Sequence, residues 1–220
     1  MSRGISVSMM CADPFTLAGD LRTFKEMNVD YLHIDIMDGS FVPNIALGTD
    51  YVSRLREACA IPMDIHLMTE RPSDKIGWFG LREGDMCSFH IEAAIHPLRI
   101  IEGIKKTGAK AAVALNPATS ISSIEEIASE IDCVLVMSVN PGYAGQAIIE
   151  SSFIKVQRIR DSYPGLTIAV DGCMSFANAA RMHKSGANII IAGSSSVFGK
   201  EGTLKQNINR LRWMLDGLEA

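Results

Sequence analysis

Two apolar runs of the sequence carry imidazoles and carboxylates at positions that a packed strand would normally fill with aliphatic side chains. Tyr31-Leu32-His33-Ile34-Asp35-Ile36-Met37-Asp38-Gly39 sets His33, Asp35 and Met37 at alternate positions, and Asp64-Ile65-His66-Leu67-Met68 does the same for Asp64, His66 and Met68. Successive strand side chains point to opposite faces, so each trio shares one face. A third run ends Ala169-Val170-Asp171-Gly172. In a parallel barrel the C-terminal strand ends form a common rim, where His33, Asp35, His66 and Asp171 converge. Two imidazoles and two carboxylates make a ligand set for one divalent transition metal, with zinc, iron, cobalt and manganese all acceptable. Burying two carboxylates with no cation is costly, so a metal also makes the cluster electrostatically tenable. Taken singly, each histidine reads as a hydrogen-bonded core residue, Asp35 as a strand-end acceptor and Asp171 as a turn cap. The repetition across strands resists that reading. Asp38-Gly39 reads as a turn, and Asp64, earlier in its strand and deeper in the barrel, reads as structural.

A second constellation suits an anion. Asn140-Pro141-Gly142-Tyr143-Ala144-Gly145-Gln146, Asp171-Gly172 and Ala192-Gly193-Ser194-Ser195-Ser196 each follow an apolar run. Glycines there let backbone amides turn toward a ligand, and loops after the late strands of a barrel are where phosphate is held. Either loop alone is more simply a plain turn. Three of the 12 methionines, Met37, Met68 and Met137, fall at the ends of strands that carry or flank the cluster. Core filling explains them, as does a soft apolar wall against a planar reaction intermediate.

The elements that position these groups alternate regularly. Strands are expected at Ile5–Met10, Tyr31–Ile36, Met63–Leu67, Met86–His90, Ala111–Leu115, Cys133–Met137, Thr167–Val170 and Ile189–Ala192. Helices are expected at Phe15–Met27, Asp50–Ala58, Ser73–Leu81, Leu98–Thr107, Ser122–Ser129, Ser151–Ser162, Phe176–Lys184 and Leu204–Leu215. Short strands apolar on both faces, each followed by a helix, predict one α/β domain over residues 1–220, a (β/α)8 TIM barrel. A doubly wound open sheet is the second architecture this pattern allows. A net charge of -4 leaves no basic surplus for nucleic acid. The five cysteines are odd in number and form no C-x-x-C pair. With no signal peptide and no apolar run long enough to span a bilayer, they predict a reducing cytoplasm and no membrane association.

The residues quoted so far resemble the ribulose-phosphate 3-epimerase family over nearly the whole chain. The resemblance is carried by Ser8, by His33-Ile34-Asp35-Ile36-Met37-Asp38-Gly39-Ser40-Phe41-Val42-Pro43-Asn44 and by His66-Leu67-Met68. It continues through Leu115-Asn116-Pro117-Ala118-Thr119, Met137-Ser138-Val139-Asn140-Pro141-Gly142, Val170-Asp171-Gly172 and Gly193-Ser194-Ser195. It implies a ribulose-phosphate-binding barrel, a divalent metal on His33, Asp35, His66 and Asp171, and a small-molecule ketose phosphate as substrate. It further implies that Asp35 and Asp171 exchange acid and base roles on opposite faces of the sugar. Ser8 and His66 would touch the sugar, the Gly142-Tyr143-Ala144-Gly145, Gly172 and Gly193-Ser194 backbones the phosphate, and Met37, Met68 and Met137 would form the wall. Similar proteins are usually homo-oligomers. Cys11, Ala144 and Cys173 depart from the commonest pattern, and the first two resemble the allulose-6-phosphate 3-epimerase branch.

The expected reaction is therefore 3-epimerisation of a ketose phosphate, D-ribulose 5-phosphate to D-xylulose 5-phosphate or D-allulose 6-phosphate to D-fructose 6-phosphate. A proton leaving carbon beside a ketone needs an electron sink, which a metal supplies, and inversion needs a base on one face and an acid on the other. A Schiff-base aldolase would want a lysine at a strand's C-terminal end, and no predicted strand ends in one. An orotidine-type decarboxylase would want Asp-x-Lys where this chain has Asp64-Ile65-His66. A non-catalytic sugar-phosphate binding protein remains the reading from another class, and it needs no opposed carboxylates.

Overall fold

The computed structural model describes residues 3–199 and 201–217. Eight parallel strands close on themselves: β1 (Gly4–Ser8), β2 (Tyr31–Asp38), β4 (Met63–Met68), β5 (Met86–His90), β6 (Lys110–Leu115), β7 (Cys133–Met137), β8 (Thr167–Asp171) and β9 (Ile189–Ala192). β1 pairs with both β9 and β2, which excludes the open sheet. A two-residue strand, β3 (Ile45–Ala46), not expected from the sequence, runs antiparallel against the end of β2 at Met37 and Asp38. The first strand is shorter than expected. It stops at Ser8, and Met9–Cys11 form a 3-10 turn that bends the chain over the rim.

Six α-helices follow strands around the outside: α1 (Leu17–Glu26), α2 (Thr49–Ala58), α3 (Pro97–Lys105), α4 (Ser151–Ser162), α5 (Phe176–Lys184) and α6 (Leu204–Leu215). The two other expected helices are corrected. The segment expected as Ser73–Leu81 holds only 3-10 turns at Pro72–Asp74 and Ile76–Trp78. Gly77 and Gly80 lie inside it, the latter at φ +53, and two glycines in so short a run undo a helix. Ile121–Ile127 is likewise a 3-10 segment, built from Ser and β-branched Ile that favour helix weakly.

The strands bury both faces. Outward-pointing Val7, Ile34, Ile65, Phe89, Val113, Val134, Val170 and Ile190 pack with helix residues such as Phe24, Leu55, Ile104, Val156 and Leu211 in one continuous core. The inward-pointing set divides. Ala112, Ala114, Leu135, Met137, Ala169 and Ile191 form a separate apolar cluster on β6 to β9. The remaining strands turn Ser6, Ser8, His33, Asp35, Asp64, His66, Ser88 and His90 inward, all buried.

Candidate active site

Parallel pairing of β2 with β4 sets His33 beside Asp64, Asp35 beside His66 and Met37 beside Met68. The two strands thus carry histidine and aspartate in opposite order, so each imidazole has a carboxylate as its lateral neighbour. His33 Nε2 lies 3.1 Å from Asp35 Oδ1 and 3.9 Å from Asp171 Oδ2. His66 Nδ1 lies 3.2 Å from the same Asp35 oxygen. One ligand atom from each of His33, Asp35, His66 and Asp171 falls within 4.8 Å of the others, a spacing on which three buried groups and the half-buried Asp171 could hold a metal ion.

Behind this cluster are groups whose roles were not apparent in the sequence. Asp64, read there as structural, places Oδ2 2.7 Å from His33 Nδ1 and accepts a hydrogen bond from Ser6 Oγ at 2.9 Å. Orienting a histidine through its far nitrogen is a common supporting arrangement at metal sites. His90, at the end of β5, meets His66 Nε2 through its own Nε2 at 2.9 Å, with the two rings stacked. Ser138 Oγ donates to the Asp171 carbonyl at 2.9 Å and to that of Gly172, which pins the strand end carrying Asp171. Ser8 Oγ donates to Asp35 Oδ2 at 3.3 Å.

Burial works against charge on His33, but the carboxylates of Asp35 and Asp64 outweigh it and hold its pKa well above the ordinary value. Burial alone would raise Asp35. The charge and hydrogen bonds of His33 and His66 instead drive it far below the carboxylate range. Burial and the charge on Asp35 together raise Asp171, against the pull of His33. The two carboxyls are pushed apart, as a matched acid and base require. A divalent cation held by His33 and its neighbours would supply positive charge against the same carboxylates.

Above the cluster is a cleft of about 600 Å³ including its open mouth, lined by Ser8, Asp35, Asp171 and all three wall methionines. Gly142, Tyr143, Ala144, Gly145, Gly172, Gly193 and Ser194 line it as well. Every expected substrate residue reaches the cleft except His66, which with His33 lies fully buried in the floor. Gly172 is at φ +104, and a Cβ there would come within 2.6 Å of Val139 Cγ2, so only glycine fits. A Cβ on Gly193 would meet Cys11 Sγ at 2.9 Å. Asn44 Nδ2 donates to the Gly142 carbonyl at 2.8 Å and ties the glycine loop to the chain after β2.

The sequence profile described as the ribulose-phosphate 3 epimerase family matches residues 4–198, which covers every barrel strand and the whole cleft. The chain belongs to that family. It is 40% identical over 201 residues to the chloroplastic ribulose-5-phosphate-3-epimerase of Arabidopsis thaliana, a match covering 89% of this chain and 71% of that one. It is 37% identical over 213 residues to the ribulose-phosphate 3-epimerase of Bacillus subtilis, covering 94% and 97%. Like them it is an enzyme, an isomerase of the carbohydrate-epimerase type. Among solved structures, 3-keto-L-gulonate-6-phosphate decarboxylase from Vibrio cholerae superposes over the full length of both chains with a TM-score of 0.73 at 11% identity, which speaks to the fold alone. Of this epimerase's departures from the common family pattern, Cys11 and Ala144 both line the cleft, and Cys173 sits at φ +51, a conformation that suits glycine better.

Proposed function

We propose that this epimerase interconverts D-ribulose 5-phosphate and D-xylulose 5-phosphate with one divalent metal ion held by His33, Asp35, His66 and Asp171. The observation that carries the reading is the convergence of these four side chains at a cleft lined by three methionines and by glycine-bearing loops. A bound ion would act as a Lewis acid, stabilising negative charge that develops on the substrate's carbonyl and neighbouring hydroxyl oxygens. Asp35, held ionised, takes the C3 proton of one epimer, while Asp171, the more readily protonated carboxyl, delivers a proton to the opposite face. The roles reverse for the return reaction. Ser8 orients Asp35 and touches the sugar, while His66, buried beneath the cleft, would serve as a metal ligand and not as a sugar contact. Met37, Met68 and Met137 exclude water from the planar intermediate. The amides of the Gly142–Gly145 loop, Gly172, Gly193 and Ser194 receive the phosphate, whose binding energy positions the reacting carbon.

Residues 1–220 are read as one domain. The five cysteines, all unpaired, support a reducing cytoplasm as its compartment, and among the described residues no helix is long and apolar enough to cross a membrane. A homo-oligomer would have exposed Trp78, Ile95 and Leu98 available for subunit contact.

The test compares substrates. Turnover of ribulose 5-phosphate should exceed that of allulose 6-phosphate, the hexose favoured by Cys11 and Ala144, and free ribulose should be far poorer than either. Incubation in heavy water should place deuterium at C3. Deuterium exchange without net epimerisation would overturn the two-carboxylate mechanism, and a preference for allulose 6-phosphate would overturn the pentose assignment.

A further inference from the structure

One buried chain of hydrogen bonds leaves the candidate metal site and ends on a loop that the epimerisation scheme does not use. It starts at His66, whose Nδ1 faces Asp35 and whose Nε2 meets His90 Nε2 at 2.9 Å. His90 is fully buried, with its ring against Phe41 at a centroid distance of 4.7 Å. Its Nδ1 lies 3.3 Å from Glu92 Oε2. The other Glu92 oxygen accepts from the Asn116 amide at 2.9 Å and from the Thr119 hydroxyl.

The donors and acceptors along this chain resolve in one direction. An ionised carboxylate only accepts, so Nδ1 of His90 carries the hydrogen that points at Glu92. For His66 to offer a metal its Nδ1 lone pair, its one hydrogen must sit on Nε2, which donates to His90 Nε2 at 2.9 Å. His90 accepts there through its bare Nε2. That leaves the Nδ1 of His66 bare, aimed at the point where Asp35 and Asp171 converge. A metal ligand must present such a lone pair.

We propose that Glu92 and His90 are positioning residues that fix the tautomer and ring plane of His66 for metal binding, and so join the metal site to the loop at residues 116–119. The inference rests on the metal reading above. Glu92 does for His66, through one intervening ring, what Asp64 does directly for His33. Lys155 provides an internal comparison. Its Nζ donates to the carbonyls of Asn116, Pro117 and Thr119 at 2.7, 2.8 and 2.7 Å, so it holds the same loop with no hydrogen bond to His90 or Glu92.

The experiment measures zinc affinity of the full-length protein by competition with a chelator, and the visible spectrum of the cobalt-substituted form. Glu92→Gln and His90→Gln should each bind zinc ~10–100-fold more weakly than wild type and shift the cobalt bands, because supporting hydrogen bonds to a ligand have effects of that size. Lys155→Met should leave both readouts at wild-type values. Wild-type affinity in Glu92→Gln, or an equal loss in Lys155→Met, would overturn the relay, the second result assigning the effect to the loop. If His90→Gln does not fold, the contrast between Glu92→Gln and Lys155→Met decides alone. A wild-type protein that takes up no metal would overturn the metal reading together with the relay, whereas failure of the relay alone leaves wild-type binding intact.

Discussion

The two halves of the barrel interior are built on the same strand geometry and filled in opposite ways. On β6 to β9 the inward positions are Ala112, Ala114, Leu135, Met137, Ala169 and Ile191, and they pack as an ordinary apolar core. On β1, β2, β4 and β5 the inward positions are mostly serine, histidine and aspartate, all of them buried, with Met37, Met68 and Met86 at the strand ends. An apolar core loses little if one residue changes type at similar volume, whereas a buried polar network loses heavily when any member is unpaired. The apolar half is therefore expected to carry stability and the polar half chemistry. Asp171 is the exception, since it projects from the end of an apolar-half strand across to the cluster, within 3.9 Å of His33.

The largest effect expected is on that bridging residue. Asp171→Asn should lower epimerisation by ~10²–10⁴-fold, the usual loss for a positioned acid or base. Asp35→Asn should do the same, and metal content must be measured in both because each is also a candidate ligand. A metal-replete Asp171→Asn enzyme with a near wild-type rate would place the chemistry wholly within the polar half and require a single mobile base.

Leu135→Ala tests the other side of the contrast. Leu135 is 1% exposed, and truncating such a residue costs about 2–5 kcal/mol. Urea unfolding should register that loss, while zinc affinity of the folded protein should not move. A large fall in affinity would mean that the two halves are mechanically coupled and that the division of labour is wrong.

Asp64→Asn should have a smaller effect of the opposite kind. His33 would keep a hydrogen-bond acceptor but lose the carboxylate charge behind its Nδ1, and zinc affinity should drop by ~10–100-fold. Unchanged affinity would return Asp64 to the purely structural role its depth in the strand had implied.

Much of this organisation is legible in the residues. Strands buried on both faces read as short apolar runs, so Cys133–Met137 and Ile189–Ala192 are found with correct ends. His33, Asp35, His66 and Asp171 stand out because strand periodicity alone puts charge inside. Asp64 reads as structural in the sequence because its pairing with His33 depends on register. The reversed order of His-x-Asp and Asp-x-His becomes meaningful only once β2 and β4 are aligned side by side. His90 offers less, as a lone strand-end histidine whose partners lie on β4 and beyond β5. The two helices replaced by 3-10 turns failed for a local reason, since their periodicity was helical while Gly77, Gly80 and the Ser122-Ser123 pair weakened the backbone preference.

The smallest effect concerns the rim above the polar half, where charge serves structure. Asp38 Oδ1 accepts from the Ser40 and Phe41 amides at 3.0 and 3.1 Å, and Oδ2 from the Glu70 amide at 3.0 Å and Lys75 Nζ at 2.6 Å. It thereby ties the loops after β2 and β4 over the cleft, without contacting the metal cluster. Burial would raise its pKa, but these hydrogen bonds, led by that of Lys75, bring it down to about 2. A carboxyl depressed in the folded state stabilises the protein above its unfolded pKa, and the benefit fades as pH falls toward the folded value. Asp38→Asn should thus cost about 1–2 kcal/mol at neutral pH, within the range for charge-assisted bonds at a partly exposed site. The gap to wild type should narrow as pH is lowered from the ordinary value of 3.8 toward about 2. Zinc affinity should match wild type, because the clamp lies outside the cluster. A stability gap that stays constant between neutral and acidic pH would show that the loops are held by packing rather than by the Asp38 charge. A loss of zinc affinity would extend the polar half's chemistry up to the rim.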